Sequence, residues 1–177
     1  MIKLLDRFFK RTNNLDYIAK SFRDLSKNTP VKKIFDSINK FSLNSEIRYV
    51  GGCVRKIIQN EKVDDIDLAT NLNPDQVCEA LNKNSINFYE TGIEYGTVTA
   101  LINDYKFEIT SLREDVKTYG RHAKVKFSND WKKDALRRDF TINSIYADLE
   151  GHLFDPFNGK DDLKKNVHIL VFSNNLL

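Results

Sequence analysis

Apolar and polar positions alternate along this chain with two different periods. Val31, Ile34, Phe35, Ile38 and Phe41 fall at helical spacing, so 30–41 reads as an amphipathic helix. Thr29 is placed to cap it, with Pro30 in its first turn. A short extended segment, Glu46 to Val50, runs into Gly51-Gly52, and Val54 to Gln59 then reads as a second helix. Within 63–69, Asp65, Ile66, Asp67 and Leu68 alternate strictly, which is a strand pattern. Asn73-Pro74 opens a helix through Leu81. Strands follow at 86–91, 96–102 and 105–112, and the turn dipeptide Asn103-Asp104 makes the last two an antiparallel hairpin. Residues 113–127 are polar, contain Gly120 and His122, and read as a mobile loop. Ser128 is a candidate cap for a helix from about Asp130 to Ser144. Residues 146–149 and 152–155 flank a Glu150-Gly151 turn as a second small hairpin. The expected class is α+β, with helices beside a mostly antiparallel sheet.

Length and composition narrow the picture only a little. The chain has 177 residues, enough for one domain with a short appendage, and is 41% hydrophobic, as a soluble domain requires. A formal charge of +3 permits a polyanionic partner without demanding one. Cys53 and Cys78 make neither a disulfide framework nor a zinc site, and fit a reducing compartment. No apolar run is long enough to span a bilayer, so no membrane partner is expected. The opening MIKLLDRFFKR is amphipathic and basic, but Asp6, Asp16 and Asp24 argue against a transit peptide. The expectations are a helical extension over 1–25, a main domain over 26–170, a tail over 171–177 and a cytoplasmic location.

Four segments carry candidate chemistry. In VGGCVRK a strand ends, Gly51 and Gly52 turn the chain, and a helix begins with Arg55 and Lys56 in its first turns. Such a turn suits a phosphate, although a Gly-Gly pair alone more often serves geometry. In DDIDLAT, Asp65 and Asp67 share one strand face while Ile66 and Leu68 point the other way. Paired carboxylates repel, and a hard cation such as Mg²⁺ relieves them; the competing reading is a solvated strand face. In YKFEITSLR, Glu108 shares a face with Lys106 and Thr110. It either completes a carboxylate triad or pairs outward with Lys106 or Arg113. In DALRRDFTINS, Asp134 and Arg138 are four apart, as are Asp139 and Asn143, while Arg137 and Arg138 can reach phosphates or a ribose. A salt-bridged solvent face is the alternative. Taken together, the four segments form a set suited to metal-assisted phosphoryl transfer.

At these residues the sequence resembles the class II tRNA nucleotidyltransferases (CCA-adding enzymes) and bacterial poly(A) polymerases, specifically their polymerase-β-like head. The matching text is YVGGCVRK, DDIDLAT, NPDQV, FEITSLRED, GRHAKVKF, DWKKDALRRDFTINSIY and LFDPFNGKDDL, in the family's order, over about residues 30–170. The resemblance implies that Gly51, Gly52 and Arg55 hold the incoming triphosphate. It implies that Asp65 and Asp67 bind Mg²⁺ and act in catalysis with Glu108. It assigns Arg137, Arg138, Asp139 and Asn143 to the nucleotide's sugar and phosphates. Residues from about Thr118 to Val125 match a flexible loop, and 157–163 falls near a hinge-like segment. The implied partners are ATP or CTP and an RNA 3′ end, most simply that of a tRNA.

Two departures accompany the resemblance. Lys56 stands where the family usually has Asp. From Asn166 the text reads NVHILVFSNNLL, without the acidic-plus-arginine neck motif that reads the base. The expected function is therefore template-independent nucleotide addition to an RNA 3′ end, with a separate chain supplying neck and body. The alternative is a non-catalytic head that only binds Mg-nucleotide.

Overall fold

Strands from both halves of the sequence meet in one sheet, seen in a computed structural model that describes residues 16–90, 92–115 and 125–171. Residues 16–28 form helix α1, followed by α2 (Val31–Asn39), β1 (Ile47–Val50), α3 (Gly52–Ile58), β2 (Ile66–Thr70) and α4 (Pro74–Lys83). Next come β3 (Asn87–Tyr89), β4 (Thr97–Ile102), β5 (Tyr105–Ser111), β6 (Arg113–Asp115) and β7 (Val125–Phe127). Helix α5 (Trp131–Leu136), β8 (Tyr146–Ala147), β9 (Leu153–Phe154) and α6 (Gly159–Lys165) complete the order. The main sheet runs β3-β4-β5-β2-β1-β8-β9, and β6 pairs with β7 in a separate ribbon. Every neighbouring pair in the main sheet is antiparallel except β2 with β5. The architecture is the α+β class expected from the alternation of elements.

One sheet face carries the main core, and the other is covered only in part, by a smaller cluster of Val50, Ala69, Leu112, Ala135 and Tyr146. Ile47 and Tyr49 of β1, Ile66 and Leu68 of β2, Val98 and Ala100 of β4, and Phe107 and Ile109 of β5 are all buried. They meet Ile34, Phe35 and Ile38 of α2 and Val77, Ala80 and Leu81 of α4 in one core. Ile18 and Phe22 of α1 join it, and the Phe22 and Phe35 rings lie 5.0 and 4.8 Å from that of Tyr49. Helix α4 starts as its sequence indicates, because the Asn73 side chain and Gln76 form a reciprocal capping box with Pro74 in the first turn. The Asn103-Asp104 turn joins β4 to β5, with Asn103 at φ 53°.

Four expectations are corrected. Thr29 does not cap α2; its hydroxyl donates to Leu25 O at 2.8 Å and closes α1, while Pro30 holds the cap position. The polar stretch 113–127 is not all loop, since β6 and β7 pair in register Arg113↔Phe127 to Asp115↔Val125. Residues 116–124, with Thr118, Gly120 and His122, lie outside the described residues. The helix expected from Asp130 to Ser144 stops at Leu136, and Asp130, not Ser128, caps its start by accepting from Lys132 N at 2.8 Å. Tertiary pairing overrides helical propensity there. Phe140 is extended and bridges Leu170, Thr141 N donates to Ile169 O, and Val171 N donates to Asp139 O. A short 3₁₀ turn, Thr141–Asn143, follows. The hinge-like 157–163 segment is largely α6, whose first amides donate to both carboxylate oxygens of Asp155 at 2.8 and 2.9 Å.

Helix α6 pins that 3₁₀ turn. The Thr141 hydroxyl donates to buried Asp162 at 2.7 Å, and a Cβ at Gly159 would lie 2.2 Å from Thr141 O. Gly159→Ala is therefore expected to force the two segments apart and destabilise the protein by about 1–3 kcal/mol. A urea or thermal unfolding titration measures this, and stability equal to the parent's would contradict the close approach.

Candidate active site

Inward packing of Ile66 and Leu68 leaves the side chain of Asp67 on the other face of β2, and Asp65 precedes the strand near enough for its charge to act on Asp67. Parallel pairing with β5 sets Asp67 directly beside Glu108, and Glu108 in turn is opposite Thr99 of β4. Asp67 and Glu108 thus lie on one open face with Asp65 close by, Asp67 half-buried and the other two exposed. Burial pushes the Asp67 carboxyl above its usual range, and the like charge of Glu108 adds to this; Arg138 pulls it down and Asp65 pushes it slightly up. Among the described residues no three His, Cys, Asp or Glu side chains form a metal cage by themselves. The donor set is nonetheless suited to a hard cation that also takes phosphate oxygens, because the half-buried Asp67 feels the like charges of Glu108 and Asp65 with Arg138 acting against them.

The strand-to-helix turn between β1 and α3 closes on this face. Gly51 adopts φ 70° and ψ −129°, which a side chain would strain. A Cβ built there would lie 3.8 Å from both Asp67 Oδ2 and Arg138 Nη1, so turn, carboxylate and guanidinium converge. The same construction at Gly52 meets nothing within 4 Å, which leaves space in front of the turn. Behind it, the Cys53 thiol donates to Val50 O at 3.2 Å and Asp67 O at 3.6 Å, tying α3 to the ends of both strands. Burial pushes that thiol up to about 11, so it serves as packing rather than as a nucleophile.

Arg55, in the next turn of α3, donates through Nη1 to the side-chain oxygen of Asn143. The two line a cavity of about 310 Å³ with Gln59, Phe140, Asn166 and His168. Lys56 points elsewhere, to Asp64 at 3.0 Å, which Lys62 also approaches at 3.5 Å.

The arginine pair is organised by Asp134. Its carboxylate accepts from Arg137 Nε at 2.8 Å, from Arg138 Nε and Nη2 at 3.3 Å each, and from the Tyr146 hydroxyl at 2.7 Å. Burial would raise the Asp134 pKa, but Arg138, Arg137 and the Tyr146 hydroxyl outweigh it and hold it below the usual carboxylate range.

Gly51, Asp67, Glu108 and Arg138 are thus gathered at one place, with Asp65 close to Asp67 and Arg55 bonded to Asn143 nearby. Asp139 is exposed, and it does not share a helix face with Asn143, since the chain leaves the helix between them. The Asp134–Arg138 spacing pointed to one ion pair. No local pattern points to Tyr146, which reaches the cluster from β8.

Comparison with known proteins identifies the family and the fold. Residues 47–168 match the family described as the poly A polymerase head domain. The human protein named CCA tRNA nucleotidyltransferase 1, mitochondrial, is 48% identical over 122 residues, covering 68% of this chain and 28% of that protein. The solved CCA-adding enzyme of Bacillus stearothermophilus in complex with CTP superposes with a TM-score of 0.68 at 26% identity, over 80% of this chain and 33% of that one. A tRNA nucleotidyltransferase complexed with a primer tRNA and an incoming ATP analog gives 0.57 at 30% identity, over 73% of this chain and 36% of the other. The chain therefore spans about a third or less of these relatives, and it belongs to the poly A polymerase head domain family, among relatives named as CCA-adding tRNA nucleotidyltransferases.

Proposed function

We propose that this chain is the catalytic head of a template-independent nucleotidyltransferase that adds nucleotides from ATP or CTP to an RNA 3′ end, most simply that of a tRNA. The observation that carries this reading is the convergence of Asp67 and Arg138 on the Gly51 turn, with Glu108 beside Asp67. The reaction joins the RNA 3′ oxygen to the α-phosphorus of the nucleotide and releases pyrophosphate. Gly51 and Gly52 let the triphosphate approach the backbone, and Arg55, Arg137 and Arg138 supply positive charge and ribose contacts, with Asp139 and Asn143. Asp65 and Asp67 are the residues that would hold Mg²⁺, with Glu108 as a third carboxylate beside them. When bound, the ion neutralises phosphate charge and makes the attacking hydroxyl more acidic.

The relatives' additional length bears on how much of this the head does alone. We propose that RNA grip and base choice come from neck and body regions outside this head. The two free thiols agree with a reducing compartment, and we place the protein in the cytoplasm. No helix among the described residues is long and apolar enough to cross a membrane.

Two measurements test the site. The folded-state pKa of Asp67 lies above its unfolded value, so ionising it lowers stability as pH rises. Asp67→Asn is expected to raise the melting temperature at pH 7 while abolishing Mg-ATP binding. The gain should fade below about pH 4, where the carboxyl is protonated in both states. Undiminished Mg-ATP binding by this variant would remove Asp67 from the site.

The named residues contact triphosphate and ribose, which all four nucleotides share. The purified 177-residue chain is expected to bind ATP, CTP, GTP and UTP in Mg²⁺ with affinities within about three-fold of one another. It should extend a tRNA lacking its 3′ end poorly. Titrating the four nucleotides decides this, and efficient, selective extension by the chain alone would place a base selector within it.

A further inference from the structure

Asp134 receives more hydrogen bonds than a salt-bridged helix requires. It is 1% exposed, and its Oδ1 accepts from the Arg113 backbone N–H at 3.2 Å as well as from Arg137. Oδ2 accepts from Tyr146 and Arg138. These donors come from β6, from the two residues just after α5, and from β8. The Tyr146 hydroxyl donates to Asp134 and accepts from Arg138 Nε at 3.1 Å, so carboxylate, phenol and guanidinium close a triangle. Trp131 meets the Tyr146 ring edge-on at 5.4 Å, and Phe154 packs beside it at 6.0 Å.

The triangle uses one edge of the Arg138 guanidinium. Nε and Nη2 are engaged by Asp134 and Tyr146, while Nη1 is the atom that lies by Gly51 and Asp67. A guanidinium is a planar fork, so fixing one edge fixes the direction of the remaining donors. Buried ion clusters contribute little to stability in themselves, because desolvation offsets their attraction. Their geometric effect is larger, since a side chain already held in its binding rotamer loses less freedom when a ligand arrives.

We propose that Asp134 and Tyr146 are positioning residues that hold Arg138 with its Nη1 donors aimed at a phosphate of the bound nucleotide. The inference rests on the reading above that Arg138 is a triphosphate ligand. It adds that two residues with no access to the nucleotide set that ligand's strength.

A double-mutant cycle on the full chain tests it, with Mg-ATP as the probe and calorimetry as the readout. Tyr146→Phe keeps the packed ring and removes one hydrogen bond, so it is expected to weaken Mg-ATP about five-fold. Asp134→Asn removes the charge that anchors both arginines and is expected to weaken it about ten-fold or more. In an Arg138→Ala background Tyr146→Phe should cost nothing further, because no guanidinium remains to position. A purely structural role for Tyr146 would give the same loss in both backgrounds and would overturn the proposal. Should Asp134→Asn unfold the chain, as circular dichroism would reveal, the Tyr146 cycle decides alone. Parent-like binding by Tyr146→Phe, with weakened binding by Arg138→Ala, overturns this inference and leaves the nucleotide site standing. Parent-like binding by Arg138→Ala, or no Mg-ATP binding by the folded parent, overturns both.

Discussion

Parallel pairing of β2 with β5 sets Asp67 beside Glu108, and the proposed chemistry of this head depends on that register. It is the one parallel pair among the described strands of the main sheet, and parallel neighbours need a long crossover between them. Here the crossover is α4 and the β3–β4 hairpin edge, which bury Val77, Leu81, Val98 and Ala100 in the shared core. A slip of one residue would send Glu108 into that core and Phe107 into solvent, so apolar burial enforces the placement of two like charges. Electrostatics alone would never bring them together.

Positive charge reaches the same place through an equally constrained route. Arg138 lies just beyond the end of α5, and α5 stops early because residues 139–141 pair with 169–171 instead of continuing the helix. Helix α6 clamps that pairing through Asp162 and through the absence of a side chain at Gly159. Stability at a distance from the carboxylates is thereby coupled to where Arg138 and Asn143 sit. Buried Asp134 converts this backbone arrangement into a side-chain direction.

Lys56 shows how a departure from the family's usual residue is absorbed. An acid at this position would face Asp64, which the lysine instead pairs with at 3.0 Å. The pair is exposed, so it contributes little to stability. Its effect is to lower the Asp64 carboxyl through the hydrogen bond and charge of Lys56, leaving Asp67 under the influence of burial, Glu108 and Arg138.

The sequence by itself determined much of this molecule. Two-residue alternation placed β2 and β5 and the facing of Asp67 and Glu108, because a strand's period depends on nothing beyond its neighbours. The Asn73-Pro74 start, the Asn103-Asp104 turn and the Gly51-Gly52 bend were legible for the same reason, each being decided by local backbone chemistry. Helical spacing could not show where α5 would end, because distant partners at Ile169, Leu170 and Val171 took the hydrogen bonds that the helix would have used. Nor could it show Tyr146 beside Asp134, or a ribbon at 113–127, since those contacts join residues that only the folded sheet brings together. Local propensity acts within a few residues, whereas the direction of Arg138 is set by groups on separate elements that meet only after the core has formed.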